Sequence, residues 1–121
     1  MVKRILIVDD EETITFSLYQ SFILSKEPYE VVTAESAEEA LQKFNEKPFH
    51  LVITDIFLPG MSGFDLLKEI KKKDPETKFI VMTAYGSDDK KEEAQREGAK
   101  FYIEKPFDMK DFKSKVMGLL S

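Results

Sequence analysis

At 121 residues the chain has the size of one folding unit. Its 42% hydrophobic and 12% aromatic content can fill a core, and the absence of cysteine excludes a disulfide framework, a thiolate metal site and a cysteine nucleophile. Eighteen Lys and Arg against 23 Asp and Glu leave a net charge of −5, which argues against direct nucleic-acid binding, and the lone His50 excludes a multi-histidine metal centre.

Lys3 and Arg4 precede only the apolar run Ile5-Leu6-Ile7-Val8, too short for a leader core or a bilayer span, so a soluble cytoplasmic protein is expected. β-type runs then recur at residues 4–8 (RILIV), 29–34 (YEVVTA), 50–54 (HLVIT), 79–83 (FIVMT) and 101–104 (FYIE). The first, third and fourth are nearly continuous in apolar residues, as parallel strands covered on both faces must be. A longer amphipathic segment follows each run, at about 24 residues per unit over five units. The pattern predicts a doubly wound α/β fold with one domain over residues 1–121.

In the first helix Ile14, Leu18 and Phe22 form the apolar stripe. The second opens on the capping-box pattern Ser36-Ala37-Glu38-Glu39 and carries Ala37, Ala40, Leu41 and Phe44. Leu66, Leu67 and Ile70 serve the third, which ends on Lys71-Lys72-Lys73 before Asp74-Pro75; three cations there suit the negative end of the helix dipole, so the run reads as a helix end and not as a nucleic-acid patch. The fourth, residues 87–97 (SDDKKEEAQRE), has Ala94 as its only apolar residue before Gly98 and reads as a weak helix. Asp108 caps the last, whose buried face should carry Phe112, Val116 and Leu119.

Function in an open parallel sheet gathers at the carboxyl ends of the strands. Those ends hold Asp9 and Asp10, Asp55, Thr83 and Lys105. Each alone reads equally as a cap, a turn former or surface decoration; together they fall on one rim. Crowded carboxylates repel by about 4 kcal/mol per pair at ~4 Å and an effective dielectric of 20. A hard divalent cation relieves that repulsion, and Mg²⁺ takes few carboxylates together with water and phosphate oxygens. A carboxylate beside it can attack phosphorus to give an aspartyl phosphate, whose oxygens need a cation and a hydroxyl donor, here Lys105 and Thr83.

Asp9-Asp10, Asp55 in ITDIFLPGMSG, Thr83-Ala84 in VMTAYG and Lys105-Pro106 in YIEKPF strongly resemble the receiver domains of bacterial two-component response regulators, from Ile5 to Leu120. The separations of 46, 28 and 22 residues between Asp9, Asp55, Thr83 and Lys105 suit that family, and PGMSG and TAYGS most resemble receivers of the nitrogen-regulatory, enhancer-binding kind.

The resemblance implies a flavodoxin-like (βα)5 fold with strand order 2-1-3-4-5. It implies that Asp55 accepts a phosphoryl group from the histidine of a sensor kinase or phosphotransfer protein, so His50 is a structural or surface residue. Asp10 and Asp55 would bind Mg²⁺ directly (Mn²⁺ substituting), Asp9 mainly through water, and Phe57 through its backbone carbonyl. Lys105 would pair with Asp55 and then with the phosphoryl group, ahead of a cis bond to Pro106. Thr83 and Tyr102 would be the switch pair, Ala84 a supporting residue, and the fourth helix, fifth strand and fifth helix the face toward an output domain or partner, with a phosphorylation-dependent homodimer a further outcome. Such a protein acts only on its own phosphorylation and dephosphorylation and leaves DNA and membranes to others. Phe57 and Tyr85, two residues after Asp55 and Thr83, carry no amide or acid to orient water, which predicts slow loss of the phosphoryl group.

Two other readings of the residues compete. An aspartyl-nucleophile phosphatase of the haloacid-dehalogenase type needs a second Asp two residues after the first, where this chain has Phe57, and needs a substrate cap. A non-phosphorylated adaptor with the same fold would have no use for the reactive set.

Overall fold

A computed structural model describes residues 2–26 and 28–121. Five strands alternate with five helices: β1 (Lys3–Val8), α1 (Glu12–Ile23), β2 (Tyr29–Ala34), α2 (Ala37–Glu46), β3 (Leu51–Asp55), α3 (Gly63–Lys73), β4 (Lys78–Thr83), α4 (Asp88–Arg96), β5 (Phe101–Glu104) and α5 (Met109–Leu120). All pairings are parallel and the order is β2-β1-β3-β4-β5, as the resemblance implies. The order reverses beside β1, and β1 and β3 pair Ile5 with Leu51 and Val8 with Thr54, which brings their carboxyl ends side by side.

Side-chain alternation along the central strands builds two cores. Ile5, Ile7, Leu51, Ile53, Ile80 and Met82 face α1 and α5, where Leu18, Phe22, Phe112 and Val116 cover them. Leu6, Val8, Val52, Phe79 and Val81 face the other way, under Ala40 and Phe44 of α2 and Leu66, Leu67 and Ile70 of α3. This two-sided burial is why three strands read as unbroken apolar runs. Each buried Phe, Leu or Ile contributes about 1.5–3 kcal/mol, so the sheet centre dominates stability.

Several details differ from expectation. In α1 Thr15 is buried and Ile14 only partly so, and α5 buries Leu120 with Leu119 half-covered. Ser36 caps α2 by accepting the Glu39 N–H at 3.1 Å, but the Glu39 carboxylate takes the Glu35 N–H at 2.8 Å, one residue outside the box, and pairs with Lys43 at 2.9 Å. The reciprocal box is on α3: Ser62 accepts the Asp65 N–H and donates its own N–H to the Asp65 carboxylate. The lysine run does end α3, where Lys73 donates to Asn45 Oδ1 at 2.8 Å and Lys72 pairs with Glu69.

His50 stands just ahead of β3 and is structural. Its Nδ1 accepts the Arg4 N–H at 2.9 Å while its own N–H donates to the Arg4 carbonyl at 2.9 Å, so the side chain completes the ladder where strand geometry has not yet begun.

α4 buries Ala94 alone. Its inward stripe is otherwise charged: Lys90 lies 5.6 Å and 5.9 Å from the Phe57 and Phe64 ring centres, and Glu97, just past the helix, approaches Lys68 of α3 at 3.9 Å.

Candidate functional site: a carboxylate–lysine rim at the strand ends

Each central strand ends in a polar residue that the turn after it holds in place. Asp9 follows β1 and is fully buried; its Oδ1 accepts the Glu11 N–H at 2.9 Å, closing a tight turn. That turn sends Asp10 outward into solvent and brings Glu11 back over the rim. Asp55 ends β3 at 6% exposure, and its Oδ1 accepts the Phe57 N–H at 2.9 Å. The N-terminus of α3 packs close behind it: a Cβ on Gly63 would lie 2.1 Å from the Asp55 carbonyl oxygen, so only glycine fits.

Lys105 joins these groups. Its Nζ lies 2.7 Å from Asp55 Oδ2, 2.7 Å from Asp9 Oδ2 and 3.0 Å from Glu11 Oε1. Its backbone N–H donates to the Thr83 carbonyl at 2.8 Å, and the Lys105–Pro106 bond is cis. Burial alone would lower the lysine pKa, but the hydrogen bonds it donates to Asp55, Asp9 and Glu11 outweigh it and hold the ammonium above the usual lysine range. Burial pushes the Asp9 carboxyl above the carboxylate range, against the pull of Lys105 and the Glu11 N–H and with the Asp55 charge adding to the rise.

Thr83, at the end of β4, is fully buried; its hydroxyl accepts the Tyr85 N–H at 3.0 Å and so faces its own loop. Tyr102 is half-buried, and its hydroxyl accepts the N–H of Ser87, the residue that caps α4. Gly86 lets the ring in: a Cβ there would stand 2.3 Å from the tyrosine oxygen. Phe57 and Tyr85 are 45% and 78% exposed, and their rings meet edge-on at 6.4 Å, bridging the loops after β3 and β4. Ala84 and Pro106 are exposed.

The structure thus gathers Asp9, Asp55 and Lys105 on one rim, with Thr83 on the neighbouring strand end. Asp10 lies outside the cluster, and Glu11, absent from the sequence reading, lies within it. The signal for Glu11 was its place in the same strand-end loop; what decided between the two was the Asp9–Glu11 turn. Oxygens of Asp9, Glu11 and Asp55 lie within 4.8 Å of one another. A set of hard carboxylate oxygens with no nitrogen or sulfur fits a hard divalent cation.

An open parallel sheet with this rim beside its order reversal defines a class of α/β protein that works at its strand ends. The family model described as the response regulator receiver domain matches residues 5–117, and the chain belongs to that family, the receivers of two-component signalling. It is 43% identical over 108 residues to the chemotaxis protein CheY of Thermotoga maritima, covering 88% of each chain. It is 36% identical over 116 residues to the sporulation initiation phosphotransferase F of Bacillus subtilis, covering 96% of this chain and 92% of that one. With the response regulator FleR of Pseudomonas aeruginosa it shares 38% over 108 residues, 89% of this chain but 22% of FleR. A CheY-like receiver from Methanospirillum hungatei superposes with a TM-score of 0.91 at 37% identity, over 98% of this chain and 93% of that one. No helix among the described residues is long and apolar enough to cross a membrane.

Proposed function

We propose that Asp55 accepts a phosphoryl group from a phosphohistidine of a sensor kinase or phosphotransfer protein, and that the α4–β5–α5 face conveys the change to an output domain or partner. The observation that carries this reading is the Asp55 carboxylate, nearly buried at a strand end, with one oxygen on the Phe57 N–H and the other 2.7 Å from Lys105. Its carboxylate attacks phosphorus, the bond to the donor nitrogen breaks, and the Lys105 ammonium meets the charge on the incoming oxygens. Asp9, Asp55 and Glu11 would hold Mg²⁺ or Mn²⁺, with Asp10 and the Phe57 carbonyl as further oxygen donors. The bound ion supplies charge neutralisation for the phosphoryl oxygens.

The switch follows from two hydrogen bonds. To reach a phosphoryl group on Asp55, the Thr83 hydroxyl gives up the Tyr85 N–H and gains a bond to a charged acceptor, worth about 1.5–3 kcal/mol. Moving an equilibrium from 1:99 to 99:1 takes about 5.5 kcal/mol, so Thr83 alone is insufficient. The Lys105 contact and Tyr102 contribute the rest. Because the Tyr102 hydroxyl accepts the N–H of Ser87, its turning inward gives up that one bond at the start of α4. Phe57 and Tyr85 carry no amide or acid to orient an attacking water, and the adduct is long-lived.

Incubation with acetyl phosphate and Mg²⁺, followed by intact mass, tests the reading. One phosphoryl adduct per chain, lost in Asp55→Asn, is expected. Turnover of added phosphate esters would instead mark a phosphatase, and absence of any adduct an adaptor.

A further inference from the structure

Lys90 has no part in the chemistry above, and its placement is unusual. It lies on the inward stripe of a helix whose only buried residue is Ala94. Its ammonium stands 5.6 Å from the Phe57 ring centre and 5.9 Å from that of Phe64, which is 4% exposed on α3. The Phe57 ring in turn meets Tyr85 edge-on, and the Phe57 N–H holds Asp55 Oδ1. One cation thus ties the first turn of α4 to the loop that carries the acceptor carboxylate. Its nearest acid, Glu93, lies 3.7 Å away at a half-exposed site, so the ammonium is shared between Glu93 and the rings.

We propose that Lys90 is a positioning residue for the lifetime of the phosphoryl group, holding the Phe57–Tyr85 ring pair across the loops after β3 and β4, next to the loop that carries Asp55, and so coupling the seating of α4 to hydrolysis. The inference rests on Asp55 being the acceptor. In hydrolysis a water oxygen bonds to phosphorus, the bond to the Asp55 oxygen breaks with its electron pair left on the carboxylate, and the water's protons leave with inorganic phosphate and solvent. Rings held across the rim narrow the path of that water; rings released widen it. When α4 is displaced, Lys90 leaves Phe57 and the adduct decays faster. A partner that seats α4 then lengthens the signal with no contact to the acceptor.

The test is the first-order decay of the Asp55 adduct, prepared with acetyl phosphate and Mg²⁺ and followed by intact mass after removal of the donor. Lys90→Gln should decay about two- to fivefold faster than wild type, the fold-change that a half-exposed cation–π contact represents. Lys90→Arg, which keeps the cation, should restore the wild-type rate, and Glu93→Gln, which leaves the rings as the ammonium's remaining partners, should not speed the decay. In a Phe57→Leu background Lys90→Gln should add nothing, since the ring it acts through is gone. Wild-type decay in Lys90→Gln, or an undiminished effect in the Phe57→Leu background, overturns the inference while leaving Asp55 as acceptor. Failure of the wild type to take up a phosphoryl group overturns the reading beneath it.

Discussion

Replacing Lys105 by Met exposes what the lysine does for the fold. Its side chain is 7% exposed and touches the Asp9 and Asp55 carboxylates, themselves 0% and 8% exposed. Met keeps the length of the stem and removes the charge. Two carboxylates whose oxygens lie within 4.8 Å then face each other without a cation, a repulsion of about 3.5 kcal/mol at an effective dielectric of 20. Breaking a buried pair by removing one partner costs about 3–5 kcal/mol, the same range. A chain of 121 residues has a stability of about 6–18 kcal/mol, so the variant should still fold. Urea titration in EDTA should show a loss of about 3–5 kcal/mol. Titration in millimolar Mg²⁺ should recover more stability for the variant than for wild type, because the ion no longer competes with an ammonium for the same oxygens. A loss below about 1 kcal/mol in EDTA, or equal Mg²⁺ stabilisation of both proteins, would refute the reasoning.

Four further outcomes are expected. Phe57→Asn, which places an amide beside Asp55, should shorten the lifetime of the adduct, read by the same decay assay. Gly63→Ala should cost about 1–3 kcal/mol in urea and slow phosphorylation, since its Cβ would meet the Asp55 carbonyl oxygen at 2.1 Å. Burial, with Lys3 and Arg4, holds the His50 imidazole below its ordinary value of 6.5. Its neutral form therefore stabilises the fold above that pH, and the contribution is lost as pH falls through the depressed value; His50→Ala should flatten that part of the stability–pH curve and cost about 1 kcal/mol at neutral pH. Amide exchange in α4 should differ between the free protein and a beryllofluoride-bound one; equal protection would count against its role in the switch.

Much of this architecture was legible because its cause is local. A strand covered on both faces must be apolar throughout, and β1, β3 and β4 declare themselves in that way. Asp9, Asp55, Thr83 and Lys105 were found by asking what stands at each strand end. What stayed hidden depends on partners distant in sequence or on one turn. Asp10 and Glu11 are neighbours of the same charge, and only the hydrogen bond between Asp9 and the Glu11 N–H decides which returns to Lys105. Glu39 fits a capping box, yet the Glu35 N–H takes its carboxylate. The inner face of α4 carries no apolar period because its contacts are Lys90 on two rings and Glu97 near Lys68.

That polar seat has a thermodynamic consequence. Denaturant sensitivity and heat capacity both scale with the surface uncovered, and α4 itself buries only Ala94 where every other helix buries at least three residues. Urea and calorimetry therefore weigh this helix less than the sheet and the other four. Ionic strength reaches it, because added salt screens the Glu97–Lys68 approach while leaving the two apolar cores intact.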